Sequence, residues 1–222
     1  MNRDDARRLL ETVDSDAARR LVNYVASELD GLAAQVWAFG LAEGSRRAVA
    51  VVAQMGAELA IGASQLYEAE RWYAGAALVR QLIETEYLLH LFARDSAEPE
   101  KWLKATQEEA RLMFSPKNMR DRSGGRFKSS EYFNHCEVGG HPRLSGHVLL
   151  REHLTLMGKD RRGLFDPKVQ WVDLAQHVER MWDHYVAAVA LHSPTNVYPD
   201  RFKKVDEAVN GWRAIDPAPS RI

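Results

Sequence analysis

The segment 72–94, WYAGAALVRQLIETEYLLHLFAR, is apolar around almost its whole circumference when it is read as a helix. Its apolar residues recur three or four positions apart on more than one face, which is the pattern of a helix covered by neighbours on every side. Such a helix lies in the middle of a bundle and not on its surface. The segment therefore predicts a central helix in which Val79, Leu82 and Ile83 are buried.

Helical patterns also dominate the rest of the chain. Ser45 can open a helix rich in small residues, Ser96 can cap a helix that runs to 114, and long helical patterns return near the carboxyl end. The sequence shows neither a β-hairpin signal nor an internal repeat. We therefore expect an all-α fold, a bundle of about five long helices in a single domain over residues 1–215, followed by a loose tail at 216–222.

The composition excludes several classes of protein. Cys136 is the only cysteine among 222 residues, so an internal disulfide cannot form and a reducing compartment is compatible. The first residues have no apolar signal-peptide core, and charges interrupt every apolar run before it reaches 18 residues. We expect a cytoplasmic protein without a membrane segment.

A basic segment interrupts the helical pattern at 115–168, where Gly, Pro, Ser, Arg and His are frequent. Residues 115–162 carry a net charge of +5, which leaves −6 for the rest of the chain, and four of the eight histidines lie there. This irregular insertion is either a solvated loop or a surface for an anionic partner such as RNA. The candidate nucleic-acid-binding residues are Arg120, Arg122, Arg126 and Lys128.

Two groups of residues are candidates for chemistry. Arg80 and Glu84 lie one helical turn apart on the apolar central helix, either as a structural ion pair or as the floor of a cleft. His141, Arg143 and His147 could cleave RNA without a metal, because a histidine can take the 2′-hydroxyl proton while an arginine stabilises the phosphate. The alternative is that these three are loop residues that stabilise turns.

Metal binding is a further candidate. Three acid–histidine pairs have the i, i+4 spacing that puts both side chains on one helical face, and they could converge in a bundle: Glu86/His90, Glu131/His135 and Asp173/His177. However, the sequence contains neither the E-x-x-H spacing of di-iron bundles nor H-E-x-x-H. Phosphate-binding and dinucleotide-binding glycine motifs are also absent. We expect no metal and no cofactor.

Three runs of the sequence, ALVRQLIETEYLLHLFAR, EKWLKATQEEARLM and EYFNHCEVGGHPRLSGH, resemble a bacterial all-helical family of unknown function that is similar to the HEPN superfamily. The shared features are an R-x-x-x-E helix, here Arg80 to Glu84, and a later segment, here Tyr132 to His141-Pro142. The resemblance covers about residues 70–150. It implies a protein acting on RNA in a toxin–antitoxin or phage-defence setting, with an antitoxin or other partner protein, and it is compatible with a homo-oligomer.

The chain departs from that pattern at the catalytic motif. HEPN ribonucleases carry R-x(4–6)-H on one helix, whereas Arg143 and His147 have only three residues between them. Two functions are therefore expected: a metal-independent ribonuclease or RNA binder, or a non-catalytic helical module for interaction or ligand sensing. Proximity of Arg80 to His141 would favour the first function, and dispersal of the histidines over separate surfaces would favour the second.

Overall fold

The fold is seen in a computed structural model, and the structure describes residues 12–38, 43–142, 144–150, 166–192 and 199–216. Within these ranges the chain is all-α and has no strand, which confirms the predicted fold class. In chain order the α-helices are α1 (Ser15–Ala38), α2 (Gly44–Glu68), α3 (Trp72–Arg94), α4 (Glu98–Lys104), α5 (Gln107–Met113), α6 (Pro116–Arg122), α7 (Ser129–His135), α8 (Pro167–His192) and α9 (Pro199–Arg213).

Helix α3 lies at the centre of the bundle, as its sequence predicts. It makes its most extensive contacts with α2 and α8, while α1 packs on both of these helices and α9 packs on α1. Val79, Leu82 and Ile83 are completely or almost completely buried. Burial of an isoleucine or leucine side chain contributes about 1.5–3 kcal/mol, so this helix supplies a large share of the core.

Small residues allow α2 to pack closely against its neighbours. Ala53, Ala57 and Ala60 are fully buried, and a Cβ atom at Gly56 would overlap the sulfur of Met181 on α8. The glycine is therefore required by the close approach of two helices, which offsets its low helix propensity. Helix α2 is also long and apolar enough to cross a membrane, and half of its apolar window is buried in the bundle.

The helix predicted to start at Ser96 and run to 114 is two helices, α4 and α5. Thr106 caps α5 with its side chain, which accepts a hydrogen bond from the backbone N–H of Glu109, and the Glu109 carboxylate accepts one from the backbone N–H of Thr106. This reciprocal capping satisfies donors that a helix start leaves unpaired, so it favours a new helix at this point. The prediction of a single helix was wrong because it overlooked the T-x-x-E motif.

The segment expected to be irregular is largely helical where the structure describes it. It contains α6, α7, a π-helical turn (Cys136–Gly140) and a 3₁₀ helix (Leu144–Leu149). Helices α6 and α7 and the π-helical turn pack on α3. A Cβ atom at Gly139 in the turn would overlap the backbone of Ala76 on α3, so the two segments are in direct contact. Residues 151–165 of this segment lie outside the described residues.

The carboxyl end of the described chain is fixed to α8. Asp216, predicted to begin the loose tail, is buried and accepts hydrogen bonds from the Gln176 side chain at 3.0 and 3.1 Å. Arg213 donates to Glu179 at 2.7 Å. Residues 217–222 lie outside the described residues.

Candidate metal centre

A stripe of polar residues runs along α8 inside the otherwise apolar bundle. Asp173, His177, Arg180 and His184 follow one another at spacings of four, three and four residues, which places them on one face of the helix. This face meets α3, where Glu86 contacts both His177 and Arg180. The buried charged groups of this face need partners or a ligand, because water does not solvate them there.

Three side chains bring ligand atoms together at one end of this stripe. The Nε2 atoms of His135 on α7 and His177 on α8 are 3.4 Å apart. The Oδ1 atom of Asp173 lies 3.5 Å from His135 Nε2 and 3.8 Å from His177 Nε2. Two imidazoles and one carboxylate at these distances form a set of ligands that suits a transition-metal ion. We call these three residues the metal triangle.

One side of the metal triangle is closed and the other reaches solvent. The His177 side chain is 1% exposed, whereas those of His135 and Asp173 are 15% and 30% exposed. An ion held by the three atoms would therefore have protein behind it and solvent in front of it. Three protein ligands with an open fourth position are typical of catalytic zinc sites, whereas structural zinc sites are closed by four protein ligands.

Glu86 orients His177 from behind. Its Oε2 atom lies 2.8 Å from His177 Nδ1, and its side chain is completely buried. Burial raises the pKa of Glu86, but the charge of Arg180 and the contact with His177 outweigh it and lower that pKa to about 2. The ionised carboxylate can accept the Nδ1–H of His177 in the tautomer that a metal ligand needs. This tautomer leaves the lone pair of Nε2 pointing at the metal triangle, an arrangement common for histidines that bind metals.

Arg180 joins the carboxylates of two other helices. Its Nε donates to Glu86 Oε1 at 2.8 Å, and its Nη2 donates to Glu131 Oε1 on α7 at 2.8 Å and to Glu86 Oε2 at 3.4 Å. The Nη2 atom also lies 2.6 Å from His177 Nδ1. His177 Nδ1 is thus contacted by the Glu86 carboxylate, which can only accept, and by Arg180 Nη2, which can only donate.

The cluster carries an excess of negative charge. Glu86, Glu131 and Asp173 supply three carboxylates against the single guanidinium of Arg180, so the net charge is −2 when both imidazoles are neutral. Burial lowers the pKa of His135, but Asp173 outweighs it and raises that pKa, while His135 in turn lowers the pKa of Asp173. A divalent cation would replace the His135 proton and neutralise the cluster.

The predicted pair of Arg80 and Glu84 belongs to a second cluster, on another face of α3. Arg80 Nη2 lies 2.9 Å from Glu84 Oε1 and donates to the Tyr132 hydroxyl at 2.7 Å, and that hydroxyl donates to Glu84 Oε1 at 2.9 Å. Burial and the Glu84 charge raise the pKa of Tyr132, so the hydroxyl keeps its proton. The Arg80 and Glu84 side chains are 23% and 30% exposed, so the pair lies at the edge of the bundle.

Two further predicted catalytic residues, His141 and His147, lie in the described part of the chain. His141 follows the π-helical turn, whose Gly140 contacts Arg80, but its imidazole is exposed and its carbonyl accepts from the Tyr73 hydroxyl at 3.3 Å. His147 Nδ1 hydrogen-bonds the Leu144 carbonyl in the 3₁₀ helix. Arg143 lies outside the described residues.

The predicted nucleic-acid-binding residues fall into two groups. Arg120 is buried with its guanidinium 4.5 Å from the centre of the Tyr132 ring, and Arg122 pairs with Glu98 of α4. These two arginines therefore make contacts inside the fold. Arg126 is partly exposed and Lys128 is exposed, immediately before α7.

The three acid–histidine pairs were candidates for metal binding, but no metal was expected from the sequence. The structure brings all three pairs to one region, and the metal triangle takes His135 from one pair and both members of another. Arg180 was missed as a member of the site. The available signal was the D-x-x-x-H-x-x-R-x-x-x-H run on α8, which puts four polar residues on a face that should be apolar.

Comparison of the chain with family models, with curated proteins and with solved structures finds no match. The resemblance to the HEPN superfamily therefore depends on its sequence motifs alone. The geometry of the metal triangle is the observation from which a function can be argued.

Proposed function

We propose that this protein binds one divalent transition-metal ion, zinc first, through His135, Asp173 and His177, and uses it to activate a water molecule for hydrolysis. The separation of the three ligand atoms, 3.4 to 3.8 Å, carries this proposal. Ligands roughly 2.0–2.1 Å from a tetrahedral zinc ion are about 3.3–3.4 Å apart. Neighbouring ligands of an octahedral magnesium ion are closer, at about 2.9 Å.

The metal triangle is buried on one side and open to solvent on the other, which suits a hydrolytic role. Zinc with three protein ligands lowers the pKa of a bound water to about 7, which supplies a nucleophile at neutral pH. His177 would be held by Glu86, and a substrate would approach from the solvent side formed by His135 and Asp173. Hydrolysis of the substrate would therefore take place where α7 meets α8.

Metal content tests this proposal directly. Protein stripped with a chelator is titrated with Zn²⁺ and with Co²⁺, whose absorption spectrum reports tetrahedral coordination. We expect one ion per chain, and we expect His135→Ala and Asp173→Asn each to weaken binding by more than the about 10–100-fold that loss of an outer-shell partner costs. The matched controls are His141→Ala and Asp200→Asn, which change exposed residues outside the cluster. Equal affinities for all five proteins would overturn the proposal.

We also propose RNA as the anionic substrate or ligand, in keeping with the charge of the basic segment. Arg126 and Lys128 precede α7, and His135 ends it. Seven helical residues span about 10 Å, so these basic groups are close enough for one RNA strand to reach both them and the metal triangle. A cytoplasmic toxin–antitoxin or defence setting with a partner protein belongs to this second proposal.

One assay separates the alternatives for RNA. The purified protein is incubated with labelled single-stranded RNA at low salt, with and without EDTA. Cleavage that EDTA abolishes supports the metal centre, whereas cleavage that survives EDTA and is lost in His141→Ala supports the metal-independent ribonuclease. Salt-sensitive binding without cleavage, weakened by replacing Arg126 and Lys128 with alanine, favours the non-catalytic module. No binding and no cleavage would remove RNA from consideration.

A further inference from the structure

We infer that Arg180 occupies the position of a second cation and thereby restricts the centre to one metal ion. This inference rests on the proposed metal centre and concerns its specificity. Helical bundles that bind two metal ions place carboxylates from several helices between the ions. Here two carboxylates from different helices, Glu86 and Glu131, face one another across a guanidinium.

The contacts of Arg180 and His177 together engage both carboxylate oxygens of Glu86. One oxygen accepts from Arg180 Nε at 2.8 Å, and the other accepts from His177 Nδ1 at 2.8 Å. The same guanidinium reaches Glu131 at 2.8 Å through Nη2. A planar guanidinium can serve two carboxylates at once because its donors form a rigid fork, whereas a lysine ammonium is a single point charge on a flexible stem.

The net charge of the cluster is balanced by one bound metal ion in addition to the Arg180 guanidinium. Three carboxylates are balanced by the guanidinium together with one divalent ion. Without Arg180, the fully buried Glu86 would lose its main positive partner, and Glu131 would face it without a cation between them. Buried carboxylates in that position either take up protons or bind a cation.

The metal stoichiometry of Arg180 variants tests the inference. Chelator-treated proteins are titrated with Co²⁺ and the bound ions per chain are counted after gel filtration. We expect one ion for the unchanged protein, one for Arg180→Lys, two for Arg180→Gln, and one for the double variant Arg180→Gln/Glu86→Gln, which removes the carboxylate that a second ion needs. One ion in folded Arg180→Gln would overturn the inference.

Loss of Arg180 leaves buried charge unpaired, so a second readout covers the case in which Arg180→Gln is unfolded without metal. In that case circular dichroism during the Co²⁺ titration replaces the count. Recovery of the helical signal that requires two equivalents supports the inference, and recovery at one equivalent or no recovery overturns it.

A background variant separates this inference from the proposed metal centre. In His135→Ala/Asp173→Asn the metal triangle lacks two of its three ligands. Adding Arg180→Gln to that background should restore binding of one ion at Glu86 and Glu131. Restored binding supports the role of Arg180 even where the unchanged protein binds no metal, and absence of any binding in the triple variant overturns it.

Discussion

Glu86 Oε2 and His177 Nδ1 lie 2.8 Å apart across the interface between α3 and α8, the two helices that make the centre of the bundle. Neither side chain has appreciable contact with solvent. The carboxylate therefore orients the imidazole ring and favours the tautomer that carries its proton on Nδ1. The orientation of His177, which lies 91 residues after Glu86 in the chain, depends on this contact.

Glu86→Gln is expected to weaken metal binding by about 10–100-fold. The amide group can donate to Nδ1 of His177, which would move the proton to Nε2 and turn it toward the metal triangle. Competition with a chromophoric chelator measures the affinity, and Glu84→Gln on the same helix is the control because Glu84 belongs to the other cluster. An unchanged affinity in Glu86→Gln would show that the carboxylate does not orient the ligand.

Two buried histidines predict an acid-sensitive fold. His184 and His90 have buried Nε2 atoms for which the described part of the chain offers no hydrogen-bond partner. Burial lowers the pKa of both, that of His184 to about 3, with Arg126 and Arg180 acting in the same direction on His184 and Glu86 opposing. As the pH falls below about 6.5, the unfolded chain binds a proton that folded His184 does not, so the free energy of unfolding should fall by about 1.4 kcal/mol per pH unit.

Urea unfolding at pH 7.5 and pH 5.0, in the presence of EDTA, measures this loss. His184→Phe should lose less stability than the unchanged protein over that interval, by about 2 kcal/mol. The control is His141→Phe, since His141 is exposed and should leave the pH dependence unchanged. Identical pH dependence in His184→Phe and the unchanged protein would contradict the assignment of His184 as a neutral core residue.

Ile83→Ala should lower the free energy of unfolding by about 2–5 kcal/mol, because it removes apolar atoms and leaves a cavity. Ile83 is almost completely buried on the central helix. Chemical denaturation gives the value, and Gln81→Ala, at an exposed position on the same helix, should change stability by no more than about 0.5 kcal/mol. A loss below about 1 kcal/mol for Ile83→Ala would be too small for a central core position.

Tyr132→Phe tests the second cluster. The hydroxyl accepts from Arg80 and donates to Glu84, so its removal takes away two hydrogen bonds with a net contribution of about 0.5–1.5 kcal/mol each. The loss should shrink in a Glu84→Gln background if the two groups are coupled, and a double-mutant cycle by urea unfolding measures that coupling. Additive effects would mean that the hydroxyl and the carboxylate act independently.

The fold class and the central helix could be predicted because their signals are local and repeated. Helix α3 is specified by apolar residues that recur on several faces over 23 residues. Its observed ends coincide with the predicted segment 72–94. The division between α4 and α5 depends on only two side chains, Thr106 and Glu109, so a single overlooked motif merged two helices. The basic segment was expected to be irregular because its glycines and prolines separate helices of only seven residues.

The metal triangle could not be predicted from the sequence in the same way, because its residues come from two helices that are distant in the chain. Asp173 and His177 share a helix, and their spacing indicates a common face, but His135 comes from a short helix whose direction depends on how it packs on α3. Glu86 reaches His177 only because α3 and α8 are in contact. Charge alone also does not reveal the partners of Arg120 and Arg122, which are an aromatic ring and a carboxylate within the fold.

Helix α7 joins the two polar clusters mechanically. Glu131 and His135 lie one turn apart and face α8, while the intervening Tyr132 and the following Cys136 face Arg80 on α3. Helix α7 has only seven residues, and its two faces contact different helices, α8 on one side and α3 on the other. A rotation of α7 that separates Tyr132 from α3 would also move His135 away from α8. A molecule that binds the cluster of Arg80, Glu84 and Tyr132 would therefore change the positions of the metal ligands.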